Sequence, residues 1–167
     1  GLVPSSHFSF KQLDKNVQKE LRLVPKQALL AIKKAAEKHG NIQNGWRLME
    51  TDINKVDYMQ RALIAMLGIG ALPPHVALYP TTTRDSKGLP LSGEHCYVMH
   101  FPKGKLPPVD AFWSLTMYDE QGFLVKNEMR RYAIRDRDRL VFNKDGSLDI
   151  FIQHTSPGSE RQTNWLP

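Results

Sequence analysis

The sequence predicts an α+β fold, mainly β: an antiparallel β-sandwich or jelly roll with two or three N-terminal helices packed on it. Three observations carry that expectation. Apolar residues recur at helical spacing within residues 11–72. Beyond Pro74 the period drops to two. Turn signals then separate short apolar runs at Asp85-Ser86-Lys87-Gly88, Asp119-Glu120-Gln121-Gly122 and Asp145-Gly146. Six or so short strands spaced this way favour a sandwich, with the helices at one end or face.

The elements follow in chain order. Residues 1–10 read as a linker or tag remnant, and residues 11–167 as a single domain with a helical part over 11–72 and a β part over 76–167. A first helix is expected over Lys11–Leu23. Pro25 suits the first position of a second helix, where its missing N–H costs nothing. Ala28, Leu29, Ile32, Ala35 and Ala36 then supply its apolar face, and Gly40 its C-terminal stop. Gly45-Trp46 begins a connector. Val56, Met59, Leu63 and Met66 mark another amphipathic helix over roughly Lys55–Leu67, ended by Gly68, Gly70 and Pro73-Pro74. Strands are expected at Ala77–Tyr79, Glu94–Phe101, Ala111–Tyr118, Phe123–Val125, Tyr132–Ile134, Leu140–Phe142 and Leu148–His154. In the third of these, Trp113, Leu115 and Met117 form the core face, and Phe112, Ser114, Thr116 and Tyr118 the other.

Composition limits the class of protein. The 167 residues are 41% hydrophobic and 24% charged, which is ordinary for a globular chain. No apolar run reaches the ~18–20 residues of a membrane helix, so no membrane span is expected. The net charge of +6 is uneven: residues 1–40 hold eight Lys/Arg against Asp14, Glu20 and Glu37. A basic helical face suits nucleic acid or anionic lipid. No stacking platform or recognition motif accompanies it, so it is read as a solvated face and no nucleic-acid partner is expected. Cys96 is the only cysteine, which excludes an intrachain disulfide and a CxxC metal site. Within its apolar run it is expected to be a small buried hydrophobe.

Several segments together resemble a known family. They are Asp57-Tyr58-Met59-Gln60-Arg61-Ala62, Leu91-Ser92-Gly93, Tyr97-Val98-Met99-His100-Phe101-Pro102 and Leu106-Pro107-Pro108-Val109-Asp110-Ala111-Phe112-Trp113-Ser114-Leu115-Thr116-Met117-Tyr118. Asn127, Arg131-Tyr132-Ala133-Ile134, Asp145-Gly146-Ser147-Leu148 and Asn164-Trp165-Leu166-Pro167 continue the match. The chain is similar, over about residues 20–167 and in the same motif order, to the family catalogued as domain of unknown function 1214. The resemblance implies a bacterial β-sandwich domain, often paired with domain of unknown function 1254 and often exported or periplasmic. It implies no substrate, cofactor or catalytic residue. It also implies a further strand after Pro167. Without that strand the sheet is expected to have an open edge for a second copy or a partner chain.

The residues admit three functional readings. In the first, the domain binds a small molecule or glycan through Tyr118, Arg131, Tyr132, Trp113 and His100. Arg131 and Tyr132, with Asn127, suit a carboxylate, phosphate or sugar, and Trp113 supplies either a core anchor or a stacking surface. In the second, an enzyme draws on His95, His100, Glu94, His154 and Tyr132. His95 and His100 point to opposite faces of one strand, so a metal would need a third ligand from elsewhere; no metal and no cofactor is expected. In the third, the open edge and the basic helix assemble chains. The dense run Arg135-Asp136-Arg137-Asp138-Arg139 is read as mutual neutralisation on a solvated turn.

Overall fold

Asp14, not Pro25, starts the long helix. In the computed structural model, which describes residues 8–49 and 57–167, the chain divides into two compact units, residues 1–89 and 90–167. The first unit holds α1 (Lys15–Ala36) and α2 (Tyr58–Leu67). The Asp14 carboxylate accepts from Asn16 N at 2.8 Å, and the Gln18 side chain donates to Leu13 O at 2.8 Å. Asp14 thus caps one of the open N-terminal donors, and the helix runs unbroken for 22 residues with Pro25 inside it. The two helices expected over 11–40 are therefore one. The fixed φ of Pro25 is helical, but its missing N–H removes one hydrogen bond of the helix and its ring crowds the carbonyl four residues back, a cost the rest of the helix outweighs.

Gly40 is not the helix stop either. The helix ends at Ala36 with Glu37 as its cap, and Gly40 (φ +88) leads into a hairpin instead. That hairpin, β1 (Asn41–Gln43) with β2 (Trp46–Leu48), replaces the expected connector. Its two-residue turn is Asn44-Gly45, both at positive φ, the conformation that matches strand twist. The helix expected over Lys55–Leu67 is α2: Asp57 caps it by accepting from Met59 N and Gln60 N, and Leu63 is its buried apolar residue. Lys55 and Val56 lie outside the described residues. Ala77–Tyr79 forms no strand, because Val76 N and Ala77 N donate to Pro73 O in a turn. Pairing begins at Thr81, which bridges Arg47. The expected Asp85–Gly88 turn is present, with Asp85 accepting from Lys87 N and Leu89 N.

The second unit carries the remaining strands. β3 (Tyr97–Phe101) pairs antiparallel with β6 (Leu148–Ile152), and β6 pairs parallel with β7 (Trp165–Leu166), in the order β3-β6-β7. β4 (Ser114–Thr116) pairs antiparallel with β5 (Ala133–Arg135). The fold is thus α+β, with N-terminal helices and several small sheets in which, among the described residues, all strand pairs but one are antiparallel. The parallel pair departs from the expected all-antiparallel pattern because the 3-10 helix Ser159–Asn164 returns the chain in the direction of β6.

Ile134, Leu148, Ile150 and Leu166 form the buried core of this unit. Met99, Phe101, Trp113, Leu115 and Met117 pack on it, so the core face expected at 113–117 is present. Full burial of each such side chain stabilises by about 1.5–3 kcal/mol. Phe112 and Tyr118, on the opposite face, are exposed. The 119–122 hairpin turn forms as expected, with Asp119 accepting from Gln121 N and Phe123 N. The return strand is reduced to a single bridge between Tyr118 and Leu124. Leu140–Phe142 forms no strand, because the Asn164 side chain occupies the backbone of Val141.

Candidate functional site

The outer face of β3 and β6 carries a connected polar cluster. Alternation along β3 turns Tyr97, Met99 and Phe101 inward and Val98 and His100 outward. Register places His100 opposite Asp149, and His100 Nδ1 lies 2.6 Å from Asp149 Oδ1. Asn143 Nδ2 donates to Asp149 Oδ2 at 2.9 Å and to Ser147 Oγ at 2.9 Å. Ser147 Oγ donates in turn to Asp145 Oδ1 at 2.7 Å. Four chain positions within seven residues converge because a tight turn folds 143–147 back on itself: Gly146 N donates to Asn143 O, and Asn143 N to Ser147 O. Gly146, at φ +83, suits that turn. An added Cβ would also meet the Lys103 side chain at 3.2 Å.

These bonds set the electrostatics. The hydrogen bond from His100, and then that from Asn143, hold the Asp149 carboxyl below its ordinary value of 3.8, against the upward push of burial. The hydroxyl and backbone N–H of Ser147 hold Asp145 below its ordinary value in the same way. The cluster is thus a chain of ionised carboxylates, an imidazole and an amide on a half-open surface, rich in both acceptors and donors.

An aromatic end adjoins the polar one. Phe151 pairs with Val98 on one side and Trp165 on the other. The Arg161 guanidinium lies 5.2 Å above the Phe151 ring, and Trp165 Nε1–H donates to Gln153 O at 2.7 Å. Val98 is exposed, whereas Trp165 is buried. Trp165 itself lies in β7.

The five expected ligand residues fall on different supports. His100 stands on the outer face just described. Trp113 packs against the core, its ring centroid 5.7 Å from that of Phe101, so its role here is as an anchor. Arg131 Nη1 donates to Gln162 O at 2.6 Å and to Trp165 O at 2.8 Å, which ties it to the C-terminal turn. Tyr132 is half-buried, with its carbonyl accepting from Met117 N. Tyr118 is exposed. No hydrogen bond, ion pair or ring contact among the described residues joins any two of the five.

Of the residues considered for acid–base work, Glu94, His95 and His154 are exposed outside the strands, and the His95 ring meets Tyr97 edge-on at 6.3 Å. Cys96 is exposed, not buried: the ladder starts one residue later, and its position continues the outward set of Val98 and His100. Among the described residues no three His, Cys, Asp or Glu side chains gather as a metal site would require. No helix of the described residues is long and apolar enough to cross a membrane.

Sequence reasoning found His100 but missed Asp149, Asn143 and Ser147. The available signal was Asp149 itself, a charge alternating with Leu148 and Ile150. Its partner across the sheet depends on register, which alternation alone does not give. The first unit adds an open groove of about 350 Å³ between the hairpin and the Asp85 turn, bordered by Arg47, Thr82 and Arg84. Both arginines there already donate to backbone carbonyls, of His39 and Gly88 respectively.

The described geometry defines an α+β protein whose C-terminal unit builds a mixed three-stranded sheet and a two-stranded ladder around one apolar core. Residues 76–167 match the model of the family described as "Protein of unknown function (DUF1214)". The chain belongs to that family. It is also similar to the crystal structure of the VPA0106 protein from Vibrio parahaemolyticus, with 26% identity and a TM-score of 0.57. That match covers 93% of this chain and 39% of the other, so the chain spans well under half the length of its structural relative. No curated protein matches the chain.

Proposed function

We propose that the C-terminal unit is a sandwich-type binding module for a small polyhydroxylated molecule or glycan, taken on the outer face of β3 and β6. The observation that carries this reading is the His100–Asp149–Asn143 cluster: an imidazole, a carboxylate and an amide held in register on a half-open sheet face. Paired hydroxyls need acceptors and donors side by side, and this cluster offers both. Its members orient one another, so little side-chain entropy is lost on binding. The exposed Val98 extends the face with an apolar contact, as sugar C–H surfaces require. The sandwich reading is supported by the single core on which Met99 and Phe101 of β3 and Leu115 of β4 all pack.

The reading is tested by saturation-transfer NMR of the chain with glucose, galactose, N-acetylglucosamine and cellobiose. Transfer to at least one sugar, lost in His100→Ala and Asp149→Ala, is expected. Absence of transfer to all four, or transfer unchanged in both variants, overturns it.

A further inference from the structure

We infer that α1 is a docking helix for an anionic lipid bilayer surface. Every residue from Lys19 to Ala31 is exposed, and no residue of the helix is buried. The exposed set includes Val17, Leu21, Val24, Leu29 and Leu30. Among the described residues the contact with α2 leaves all of these open, and only Gln18, Ile32, Ala35 and Ala36 of the helix are half-buried. Helices of this kind owe their stability to a covered apolar face more than to intrinsic propensity, and Pro25 lowers that propensity further.

The distribution of side chains chooses the partner. At about 100° per residue, Val17, Leu21, Val24, Ala28, Ala31, Ile32 and Ala35 occupy a stripe about 100° wide. Lys15, Lys19, Arg22, Lys26 and Lys33 fall within about 60° of one another on the opposite side, where the exposed Leu23, Leu29 and Leu30 flank them. The helix carries six Lys/Arg and a single Glu. A strongly cationic polar face over an apolar stripe, with low overall hydrophobicity, is the pattern of a helix lying in a membrane interface. Its diameter of about 10–12 Å keeps even the far lysines within roughly one Debye length of an anionic surface. Their aliphatic stems also let the ammonium groups reach toward headgroups.

A second copy fits less well. The stripe has heptad spacing, but the positions flanking it include Gln18, Glu20, Gln27 and Lys34, which give no set of opposite-charge pairs. Two copies would also bring like charge together. An anionic bilayer supplies the apolar phase and the opposite charge at once.

The test is co-sedimentation of the full chain with phosphatidylcholine vesicles and with phosphatidylcholine vesicles containing phosphatidylglycerol. Binding to the anionic vesicles, weak binding to the neutral ones and loss at high salt are expected. Lys19→Gln, Lys26→Gln and Lys33→Gln together leave the apolar stripe intact and should weaken partitioning roughly 100-fold. Val24→Asp should weaken it with the charge pattern intact, circular dichroism confirming that the helix persists. Equal binding to both vesicle types, or binding indifferent to both variants, overturns the inference. So does a dimer that Val24→Asp dissociates in a chain that ignores vesicles, or retention on duplex DNA without retention on vesicles.

Discussion

Asn164 pairs with Val141 as a strand residue would, but with a side chain. Val141 N donates to Asn164 Oδ1 at 2.9 Å, and Asn164 Nδ2 donates back to Val141 O at 2.7 Å. The same Nδ2 reaches Asp149 O at 2.9 Å, so one buried amide joins the 141 segment to β6. Asn164→Ala strands these backbone groups. At about 1–3 kcal/mol for an unsatisfied buried group, a loss of about 2–4 kcal/mol is expected. Urea unfolding checks the size. Asn164→Asp should recover only part of it, because the carboxylate accepts from Val141 N but donates to neither carbonyl.

Arg131 fixes the next part of the same segment. Its Nη1 donates to carbonyls 31 and 34 residues away, at Gln162 and Trp165, while Asn127 holds its backbone from the other side. Arg131→Ala is expected to cost about 1.5–3 kcal/mol, the range for hydrogen bonds to a charged group. Arg131→Lys should not restore it in full, since a single ammonium lacks the planar fork. Hydrogen exchange should show the loss first at Trp165 and Leu166, before β3. Equal loss of protection at both strands would mean that Arg131 supports the whole sheet.

These two residues also show where the sequence stops being legible. The core face of Trp113, Leu115 and Met117 and the turns at Asp85, Asp119 and Asp145 follow from alternation and turn chemistry, which are local. Arg131 looked from its neighbours like a ligand grip, but its partners lie more than thirty residues away. Leu140–Phe142 looked like a strand, and Asn164 takes its place in the pairing. His100 was visible as an outward polar residue, whereas Asp149 became its partner only through sheet register. The Asn44-Gly45 hairpin is a different case: its turn signal is local and strong, yet Gly45-Trp46 is expected to begin a connector, and the two strands it joins are only three residues each.

That hairpin offers a paired comparison. Gly40 and Gly45 both have positive φ, at +88 and +80. Alanine at either site carries a conformational cost of about 1–2 kcal/mol. At Gly45 nothing lies within 4 Å of an added Cβ, whereas at Gly40 it would sit 2.5 Å from the backbone oxygen of Leu48. Gly40→Ala should therefore be the more destabilising of the two, by about 1 kcal/mol or more. Thermal unfolding of both variants decides it, and equal effects would show that β2 moves aside without cost.

The His100–Asp149 pair gives a pH dependence of definite sign. The hydrogen bonds from His100 and Asn143 depress the folded-state value of Asp149 below its ordinary 3.8. Between those two values the unfolded chain binds more protons than the folded one, so stability rises as pH rises there. The contribution is complete above the unfolded value and is lost as pH falls through the folded one. Asp149→Asn removes it. The stability difference between the parent chain and this variant should be constant above about pH 5 and shrink below about pH 4. Asp145 and Asp138 remain in the variant as a background of the same sign: Ser147 lowers Asp145, and at Asp138 the upward push of burial is outweighed by the hydrogen bonds and charge of Arg135 together with the charge of Arg131. The variant should therefore still lose stability in acid, only less steeply. Urea midpoints measured across this range check the prediction, and parallel curves for the two proteins would show that the pair contributes no proton-linked stability.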